Sequence, residues 1–351
     1  MSERITVVGA GGIGGNLAGS LALAGERVQL VEVGAHLQAI RERGLRLIGL
    51  RGEHVVHFDS VVAPAELRGP LSLVFIATRS QRTTDALDTI APLVSADGMV
   101  VSVQNGLNAH RIAARLGAPR TIPCMVHVVG ALEEPGVVGR YSEGEFYVGE
   151  YDGTVSERVR ALASRMEPAA RTHATENVWG FQWTKILHVA QNLATGLVDA
   201  PAAEVRSHAW VRRLLVAVQL EVVDAAIAEG VTLERYERID PAILIDLHTP
   251  DGLTQAIDML PHASEKGYNG TWRELKRGGP TETFATADEL VRIGQRHGLS
   301  MPLMATLRDG VRAIELGTDQ QGWHHLERLR DGAERAIALR LGQGSVVAEA
   351  R

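Results

Sequence analysis

The chain opens with apolar runs of strand length that alternate with segments of helical apolar spacing. Ile5 to Val8 is a β-branched run that stops at glycine, and Ile13 to Ala24 keeps a helical period. Gly25 ends this helix, and Val28 to Val33 is a second strand-like run, which closes a β-α-β unit of about 30 residues. A β-α-β unit predicts a parallel sheet.

The same alternation continues further along the chain. Leu71 to Ala77 and Met99 to Val103 are apolar runs typical of buried strands, and the stretch Thr83 to Val94 between them has helical spacing. Strands that alternate with helices in this way are typical of a doubly wound sheet. We therefore predict an α/β Rossmann domain with a parallel sheet.

The end of this domain shows a different pattern. Val137 to Tyr141 and Glu145 to Gly149 alternate apolar and polar residues, which predicts an antiparallel hairpin at the sheet edge. Ser156 to Met166 then has the spacing of a last helix. The dinucleotide-binding domain is predicted to cover residues 1–175.

After this point strand patterns fade and helical patterns take over. Glu234 to Gly279 carries three prolines and several glycines, which indicates short helices joined by loops. Residues 176–341 are predicted to form an all-helical domain for substrate binding and dimerisation, and 342–351 a flexible tail without a periodic apolar face. The long helical patterns cover Val178 to Gly196, Ala209 to Glu229, Thr283 to His297 and Met304 to Glu315.

Composition narrows the class of protein. Of 351 residues, 45% are hydrophobic and 22% charged, which is typical of a globular protein. A net charge of −6 argues against nucleic acid or an anionic membrane as partner, and favours a small molecule. The N-terminus lacks a signal-peptide pattern, so we expect a cytoplasmic protein. Cys124 is the only cysteine, which excludes a Cys-rich zinc site, and we expect no metal.

The segment Gly9-Ala10-Gly11-Gly12-Ile13-Gly14 has the GxGxxG pattern between a strand and a helix. Gly9 permits the tight turn, Gly11 lets the backbone approach a pyrophosphate, and Gly14 allows close helix–strand packing. The backbone N–H groups of Gly12 and Ile13 lie at the helix N-terminus, which favours an anion. The loop therefore predicts a dinucleotide site.

Two charged residues bear on the choice between NAD and NADP. Glu32 ends the second strand, where Rossmann folds place the carboxylate that binds the adenosine ribose. A carboxylate there repels a 2′-phosphate and favours NAD. Arg79 follows the strand Leu71 to Ala77 and offers a compensating charge for NADP.

Further motifs follow the loop in a fixed order. They are Gly34-Ala35-His36-Leu37 through Arg43-Gly44-Leu45, Val103-Gln104-Asn105-Gly106-Leu107-Asn108, Pro135-Gly136-Val137-Val138, Trp183-Thr184-Lys185 and Thr281-Glu282. Together they resemble the ketopantoate reductase family over most of the chain. The resemblance implies hydride transfer from a nicotinamide cofactor to the keto carbon of a 2-keto acid.

The resemblance also implies roles for three residues. Lys185 would protonate the developing alkoxide, a role that suits an ammonium group because it stabilises negative charge on the carbonyl oxygen. Asn105 would position the nicotinamide and substrate, and Glu282 would bind the substrate and orient the lysine. We expect all three to lie at one cleft between the domains.

Structural roles are the alternative for the same residues. Lys185 could be a solvated helix residue, Asn105 a left-handed turn residue before Gly106, and Glu282 a helix-start charge. Two other functions also remain open: an opine- or 3-hydroxyacid-type dehydrogenase of the same architecture, and a non-catalytic protein that senses a dinucleotide.

The lysine helix departs from the family pattern. The family carries an asparagine four residues after the lysine, where this chain has Val189. A second family asparagine is best matched by Asn192 after a shift of one residue. His188 lies three residues after Lys185 on the same helical face, where it either replaces a polar contact or packs.

A second departure lies before the Thr-Glu motif. The serine that binds the substrate carboxylate in the family falls on Gly270, with Asn269 and Thr271 beside it as replacements. A buried carboxylate or hydroxyl without its hydrogen bond costs about 1 to 3 kcal/mol. The departures predict a 2-keto acid other than ketopantoate, with a bulkier or less polar substituent.

Overall fold

The computed structural model describes residues 4–260 and 267–348. The chain divides into two compact units, Met1–Trp179 and Gly180–Arg351. The division falls at Trp179, close to the predicted end of the first domain at residue 175.

The described part of the first unit carries two sheets and five complete α-helices. The larger sheet has eight strands in the order β12-β11-β8-β7-β6-β1-β2-β5, and the smaller has the order β4-β3-β10-β9. The helices are α1 Gly12–Leu23, α2 Gly34–Arg43, α3 Thr83–Ile90, α4 Ala109–Leu116 and α5 Glu157–Met166. The strands are β1 Ile5–Val8, β2 Val28–Val31, β3 Leu45–Gly49, β4 His54–Val56, β5 Ser60–Val62, β6 Leu71–Ile76, β7 Val94–Ser102, β8 Thr121–His127, β9 Gly130–Glu134, β10 Val137–Arg140, β11 Glu145–Val148 and β12 Arg171–Ala174.

The centre of the large sheet is parallel, as the sequence predicted. Strand β1 lies parallel to both β2 and β6, and β7 lies parallel to β6 and β8. All four residues of β1 are buried, because helices cover the parallel sheet on both faces. The carboxyl ends of β1, β2 and β6 therefore share one edge, where such sheets bind ligands.

The predicted hairpin between Val137–Tyr141 and Glu145–Gly149 is wrong. Strand β10 pairs with β9 and β3 in the smaller sheet, whereas β11 pairs with β8 and β12 in the larger one. The physical reason is the turn at Pro135-Gly136, where Gly136 has φ +88°. That turn joins β9 to β10 directly, so the partner of β10 precedes it along the chain.

The second unit is helical. Helix α6 begins at Val178 as predicted. The described residues of the Pro- and Gly-rich segment form three short helices. The predicted flexible tail begins at residue 342, but helix α15 continues to Ala348. The helix therefore does not end where the apolar periodicity ends, after Leu341. Residues 349–351 of the predicted tail lie outside the described residues. The helices are α6 Val178–Gly196, α7 Ala202–Ser207, α8 Ala209–Ala228, α9 Pro241–Ile245, α10 Pro250–Met259, α11 Gly270–Arg277, α12 Glu282–Arg296, α13 Pro302–Glu315, α14 His324–Glu327 and α15 Arg330–Ala348.

Candidate active site

The Gly-rich loop connects β1 to α1, and backbone conformation or close packing requires glycine at three of its positions. Gly9 has φ +94°, a conformation that side chains rarely adopt. A Cβ at Gly12 would lie 2.2 Å from the carbonyl oxygen of Gly130, and one at Gly14 would lie 1.9 Å from that of Gly9. A Cβ at Gly11 would have no heavy atom within 4 Å. The loop is thus packed from behind and open at Gly11, as close approach of a pyrophosphate requires.

Ile13 belongs to the same loop but has a different role from the glycines. Its partly buried side chain packs against the core of the first unit, while its backbone N–H lies in the first turn of α1. The first N–H groups of a helix have no partner within the helix and carry its positive dipole end. Ile13 therefore anchors the helix whose N-terminus faces the loop.

A cavity of about 630 Å³ lies at the carboxyl ends of β1, β2 and β6. Gly9, Gly11, Glu32 and Arg79 line it, together with Thr78. The sequence predicted four of these as cofactor-binding residues from separate segments. The cavity has the size of ordinary small-molecule sites and its open glycine fits a bound dinucleotide.

Glu32 lies at this cavity with its carboxylate bound to backbone. Its Oε2 accepts a hydrogen bond from the Ala10 N–H at 2.6 Å, and its Oε1 accepts one from the Val33 N–H at 2.9 Å. Two backbone donors hold the carboxylate in one position. The side chain is therefore fixed before any ligand binds.

His36 is a cavity residue that the sequence named only within a motif and did not predict as a site residue. It is buried, and its Nδ1 accepts a hydrogen bond from the Gly136 N–H at 2.8 Å. Its Nε2 lies 2.9 Å from the Ala10 carbonyl oxygen. Because an N–H only donates and a carbonyl only accepts, the ring proton must lie on Nε2. The position of His36 four residues after Glu32, on the first turn of α2, is the signal that could have found it.

Two arginines also line the cavity. Arg79 is exposed at the end of the loop after β6, and Arg82, which the sequence also missed, forms an ion pair with Asp85 at 3.0 Å. The cavity thus presents positive charge as well as the carboxylate of Glu32. The arginines are therefore potential partners for the 2′-phosphate of NADP, and Glu32 is a potential partner for the unphosphorylated ribose of NAD.

The loop that carries Asn105 follows β7 and is held by a buried hydrogen-bond network. Gln104 Nε2 donates to the Thr78 carbonyl and to Thr83 Oγ1, both at 2.8 Å. Asn108 Nδ2 donates to Ser80 Oγ at 2.8 Å and to the Asn105 carbonyl at 2.7 Å. Buried, satisfied polar networks are rigid, so the exposed side chain of Asn105 stands on a fixed support.

The turn in this loop is made by glycine and not by asparagine. Gly106 has φ +78°, whereas Asn105 is not among the described residues with positive φ. The alternative that Asn105 is a left-handed turn residue is therefore wrong. Its side chain is not explained by turn formation.

In the second unit, Lys185 lies on α6 among buried neighbours. Trp183, Ile186 and Leu187 are almost fully buried, whereas Lys185 is partly buried. On the C-terminal side of Lys185, the residues of α6 with the same helical phase are His188 and Val189, both partly buried, and Asn192, which is exposed. Residues spaced by three and four share one face of a helix. Lys185 and its three predicted neighbours therefore form one stripe that the core does not cover.

Asn269 and Thr271 have structural partners. Asn269 caps α11 through its Oδ1, which accepts from the Trp272 N–H at 2.8 Å. Its Nδ2 donates to the Asn192 carbonyl at 2.8 Å and to Thr195 Oγ1 at 2.6 Å. Asn269 thereby attaches the start of α11 to α6.

Helix α11 also contacts the start of α12, where Glu282 lies. The hydroxyl of Thr271, which is 2% exposed, lies 2.9 Å from that of Thr283. Glu282 is the first residue of α12, and its N–H donates to Glu274 Oε2 at 3.1 Å. Helix α11 is thus bonded to the helix of Lys185 and to the helix start that carries Glu282. That the two side chains act together, at a cleft with Asn105, stays a prediction.

One group in the described part of the chain has the spacing of metal ligands. Asp319, His324 and His325 place one potential ligand atom each within 4.8 Å of one another. His325 Nε2 lies 2.9 Å from the Gln320 carbonyl, so it must donate, and His325 Nδ1 accepts from Arg328 at 3.2 Å. A metal needs a ring nitrogen with a free lone pair. The group is better explained by these structural hydrogen bonds.

Comparison with known proteins follows the same division of the chain. Residues 5–153 match the family described as "Ketopantoate reductase PanE/ApbA", and residues 177–315 match its C-terminal domain. A 2-dehydropantoate 2-reductase of Mesorhizobium japonicum is 30% identical over 90% of this chain and 99% of its own length. The chain belongs to the ketopantoate reductase family. It is an oxidoreductase that uses a nicotinamide cofactor to reduce a keto acid.

Other relatives agree with this assignment. A 2-dehydropantoate 2-reductase of Pyrococcus horikoshii is 28% identical over 89% of this chain and 97% of its own length. A crystal structure of a ketopantoate reductase of this family from Ralstonia eutropha has a TM-score of 0.75 at 26% identity, over 90% of this chain and 99% of that one. The opine- and 3-hydroxyacid-type alternative and the non-catalytic alternative are not favoured.

A more distant structure shares the fold. D-mandelate dehydrogenase, solved with NADH and anilino(oxo)acetate, has a TM-score of 0.77 at 19% identity, over 90% of this chain and 99% of that one.

Within the described ranges, every helix is too short or too polar to cross a bilayer.

Proposed function

We propose that this reductase uses NADH to reduce a 2-keto acid whose side chain is less polar than that of ketopantoate. The observation that carries the proposal is the stripe on α6, where Lys185 shares a face with apolar Val189 and with His188. The resemblance to the family places a polar asparagine where Val189 stands. This face of α6 therefore retains Lys185 as the proposed general acid. Compared with the family pattern, it replaces a polar contact to the substrate by the apolar side chain of Val189.

In the proposed reaction, Lys185 is the general acid. The bound nicotinamide supplies the hydride. As negative charge develops on the keto oxygen, the Lys185 ammonium stabilises it and then donates the proton that makes the alcohol. Its partial burial on α6 limits the contact of the side chain with water.

Glu282 is proposed to orient Lys185 and to accept a hydrogen bond from the substrate. It stands at the N-terminus of α12, where a carboxylate is stabilised by the helix dipole. The bonds that α11 makes to α6 and to α12 keep this helix start in place relative to Lys185's helix. Asn105, on its rigid loop, is proposed to position the nicotinamide and the substrate.

The preference for NADH rests on Glu32. Its carboxylate is held by the N–H groups of Ala10 and Val33 and can accept hydrogen bonds from ribose hydroxyls, whereas it repels a 2′-phosphate. Arg79 at the same cavity acts against this preference. The fold relative D-mandelate dehydrogenase was solved with NADH, which supports the proposal.

The substrate class rests on three positions in the second unit. Val189 offers apolar surface, and Gly270 provides no hydroxyl for a carboxylate. Asn269 is committed to capping α11, so it is proposed to support the site and not to bind substrate, while His188 and Asn192 remain candidates for polar contacts. A substrate with a branched apolar or aromatic substituent suits this arrangement.

Steady-state kinetics with purified protein tests the proposal. NADH oxidation is measured with ketopantoate, 2-oxoisovalerate, 2-oxoisocaproate and phenylglyoxylate, and the panel is repeated with NADPH. We expect the highest kcat/KM for NADH with one of the apolar acids. A highest kcat/KM for ketopantoate would contradict the substrate class, whatever the cofactor.

Assembly and location complete the proposal. We propose a cytoplasmic homodimer that is formed through the helical unit. Light scattering coupled to size-exclusion chromatography measures the mass directly. A species of the monomer mass, 37.8 kDa, would contradict the dimer.

A further inference from the structure

A second cavity of about 310 Å³ lies in the first unit. It shares no lining residue with the cavity at the carboxyl ends of β1, β2 and β6, which we call the cofactor cavity. One wall is a face of α1 that includes Asn16 and Ser20. The opposite wall comes from the smaller sheet and its connections, and it includes Arg51 and Arg140. Nothing in the proposed reaction uses this cavity.

Arg140 is buried to an unusual degree for a charged residue, with 3% of its surface exposed. Its guanidinium donates to three backbone carbonyls: that of Ser142 at 2.9 Å from Nε, and those of Ala169 and Glu143 from the two Nη atoms. Carbonyl oxygens satisfy the hydrogen bonds of a guanidinium but do not neutralise its charge. A buried charge of this kind is favourable only if an anion lies close to it.

The carboxylate of Glu143 is shared between the guanidinium groups of Arg51 and Arg140. Glu143 Oε2 lies 2.6 Å from Arg51 Nη2 and 3.7 Å from Arg140 Nη2, and its side chain is 61% exposed. Two guanidinium groups therefore have one solvent-screened carboxylate between them. Burial and the neighbouring charge of Arg51 lower the pKa of Arg140 to about 10, so it keeps its charge at neutral pH. The wall carries an excess of one positive charge.

The remaining lining sets the kind of anion. Ser20 contributes a hydroxyl, whereas Leu23, Leu47 and Ile48 contribute apolar surface. A cavity of this volume holds a molecule of roughly ten non-hydrogen atoms. An inorganic anion would leave the apolar wall unused, and an uncharged molecule would leave the guanidinium charge uncompensated.

We propose that this cavity is a binding site for a small organic monocarboxylate with a short apolar chain. The carboxylate lies against Arg51 and Arg140, and the chain lies against Leu47 and Ile48. The compound is either a metabolic acid or the enzyme's own keto acid at a second site. Both sources have this chemistry, and the probes below distinguish them.

Isothermal titration calorimetry on the full-length protein at pH 7 tests the site. The probes are isovalerate, its keto analogue 2-oxoisovalerate, the uncharged 3-methylbutan-1-ol and inorganic phosphate. We expect saturable binding of isovalerate and none of the alcohol or phosphate. Stronger binding of isovalerate identifies a metabolic acid as the ligand, and stronger binding of 2-oxoisovalerate identifies the enzyme's own keto acid. Equal binding of the two means that the site accepts both sources. An absence of isovalerate binding up to about 10 mM overturns the proposal.

Variants locate the binding. Arg51→Gln removes an exposed guanidinium and should weaken isovalerate binding at least about tenfold, because a charge-assisted hydrogen bond is lost. Ser20→Leu should fill the cavity and abolish binding while both arginines remain. Arg46→Gln is the matched control, since Arg46 lies on the same sheet, pairs with Glu53 and is not a lining residue.

The catalytic lysine provides the last distinction. Lys185→Ala should bind isovalerate as the wild type does, because the proposed cavity lies in the other unit. Binding that is lost in Lys185→Ala and kept in Arg51→Gln and Ser20→Leu would assign the probe to the substrate site and overturn the proposal. The measurement does not need turnover, so its failure is distinguishable from failure of the proposed function.

Discussion

His36 binds the carbonyl of Ala10, the residue whose N–H is bound by Glu32. The two distances are 2.9 Å from His36 Nε2 to the Ala10 oxygen and 2.6 Å from the Ala10 nitrogen to Glu32 Oε2. Both polar groups of one residue in the Gly-rich loop, Ala10, are thus held by side chains that line the cavity at the carboxyl ends of β1, β2 and β6. The loop is shaped by two side chains that it does not contain.

His36→Ala should weaken cofactor binding about tenfold and lower stability. The change leaves the Ala10 carbonyl and the Gly136 N–H without a side-chain partner, each at about 1 to 3 kcal/mol if no water replaces it. Cofactor affinity is measured by NADH fluorescence titration. His57→Ala, at an exposed histidine of the same unit, is the control. Wild-type affinity in His36→Ala would show that the loop holds its shape without this contact.

Glu32→Gln should shift the cofactor preference from NADH towards NADPH. Glutamine keeps an acceptor oxygen for the Ala10 N–H but removes the charge that repels a 2′-phosphate. We expect the ratio of kcat/KM for NADH over NADPH to fall about tenfold. The exposed Glu42, changed in the same way, should leave that ratio unchanged. A wild-type enzyme that strongly prefers NADPH would mean that Arg79 outweighs Glu32.

Lys185→Ala should lower kcat by a factor of about 10² to 10⁴, the usual contribution of a general acid. Lys185 is only partly buried, so the free energy of unfolding should change little. Single-turnover reduction measured by NADH absorbance separates the chemical step from product release. Lys276, which pairs with Asp199 at 2.9 Å, serves as the control lysine. Full activity in Lys185→Ala would remove the proposed mechanism.

Gly270→Ser combined with Val189→Asn should raise kcat/KM for ketopantoate about tenfold or more, because two polar contacts are restored. A Cβ at Gly270 would meet no atom within 4 Å, so serine fits there. Gly270→Ala with the same Val189→Asn has the volume without the hydroxyl and should gain less. If neither variant improves on the wild type, these two positions do not explain the substrate.

Glu221 should make stability fall as pH rises from about 4.5 to about 7. Its carboxylate accepts from the N–H groups of Leu303 and Met304, but burial raises its pKa to about 7 from the usual 4.5. In that window the folded state keeps a proton that the unfolded state has lost, so the proton's stabilising effect disappears with rising pH. A shift of this size corresponds to about 3 kcal/mol.

Urea unfolding midpoints at pH 5 and pH 8 measure this effect. The decrease between the two pH values should be smaller in Glu221→Gln than in the wild type, since glutamine does not titrate. Glu327→Gln, at an exposed glutamate, should keep the wild-type decrease. An unchanged decrease in Glu221→Gln would show that another group controls this pH dependence.

The sequence by itself determined the features that depend on neighbouring residues. The Gly-rich loop, Glu32 at a strand end and Lys185 on a long helix all follow from short periodic patterns, because turn geometry and helical spacing act over a few residues. The order of those motifs was enough to indicate the family. It was also enough to indicate the nicotinamide chemistry.

Tertiary structure decided which segments meet. Strand β10 pairs with β9 and not with β11, and Asn269 bonds to a helix far away in the chain, because long-range hydrogen bonds depend on how whole elements pack. The sequence shows His36 only as one residue of a motif, whereas in the structure its two ring nitrogens join Ala10 and Gly136. The cavity beside Arg140 likewise exists only where α1 faces the smaller sheet, since a buried charge and its surroundings are properties of packing and not of local pattern.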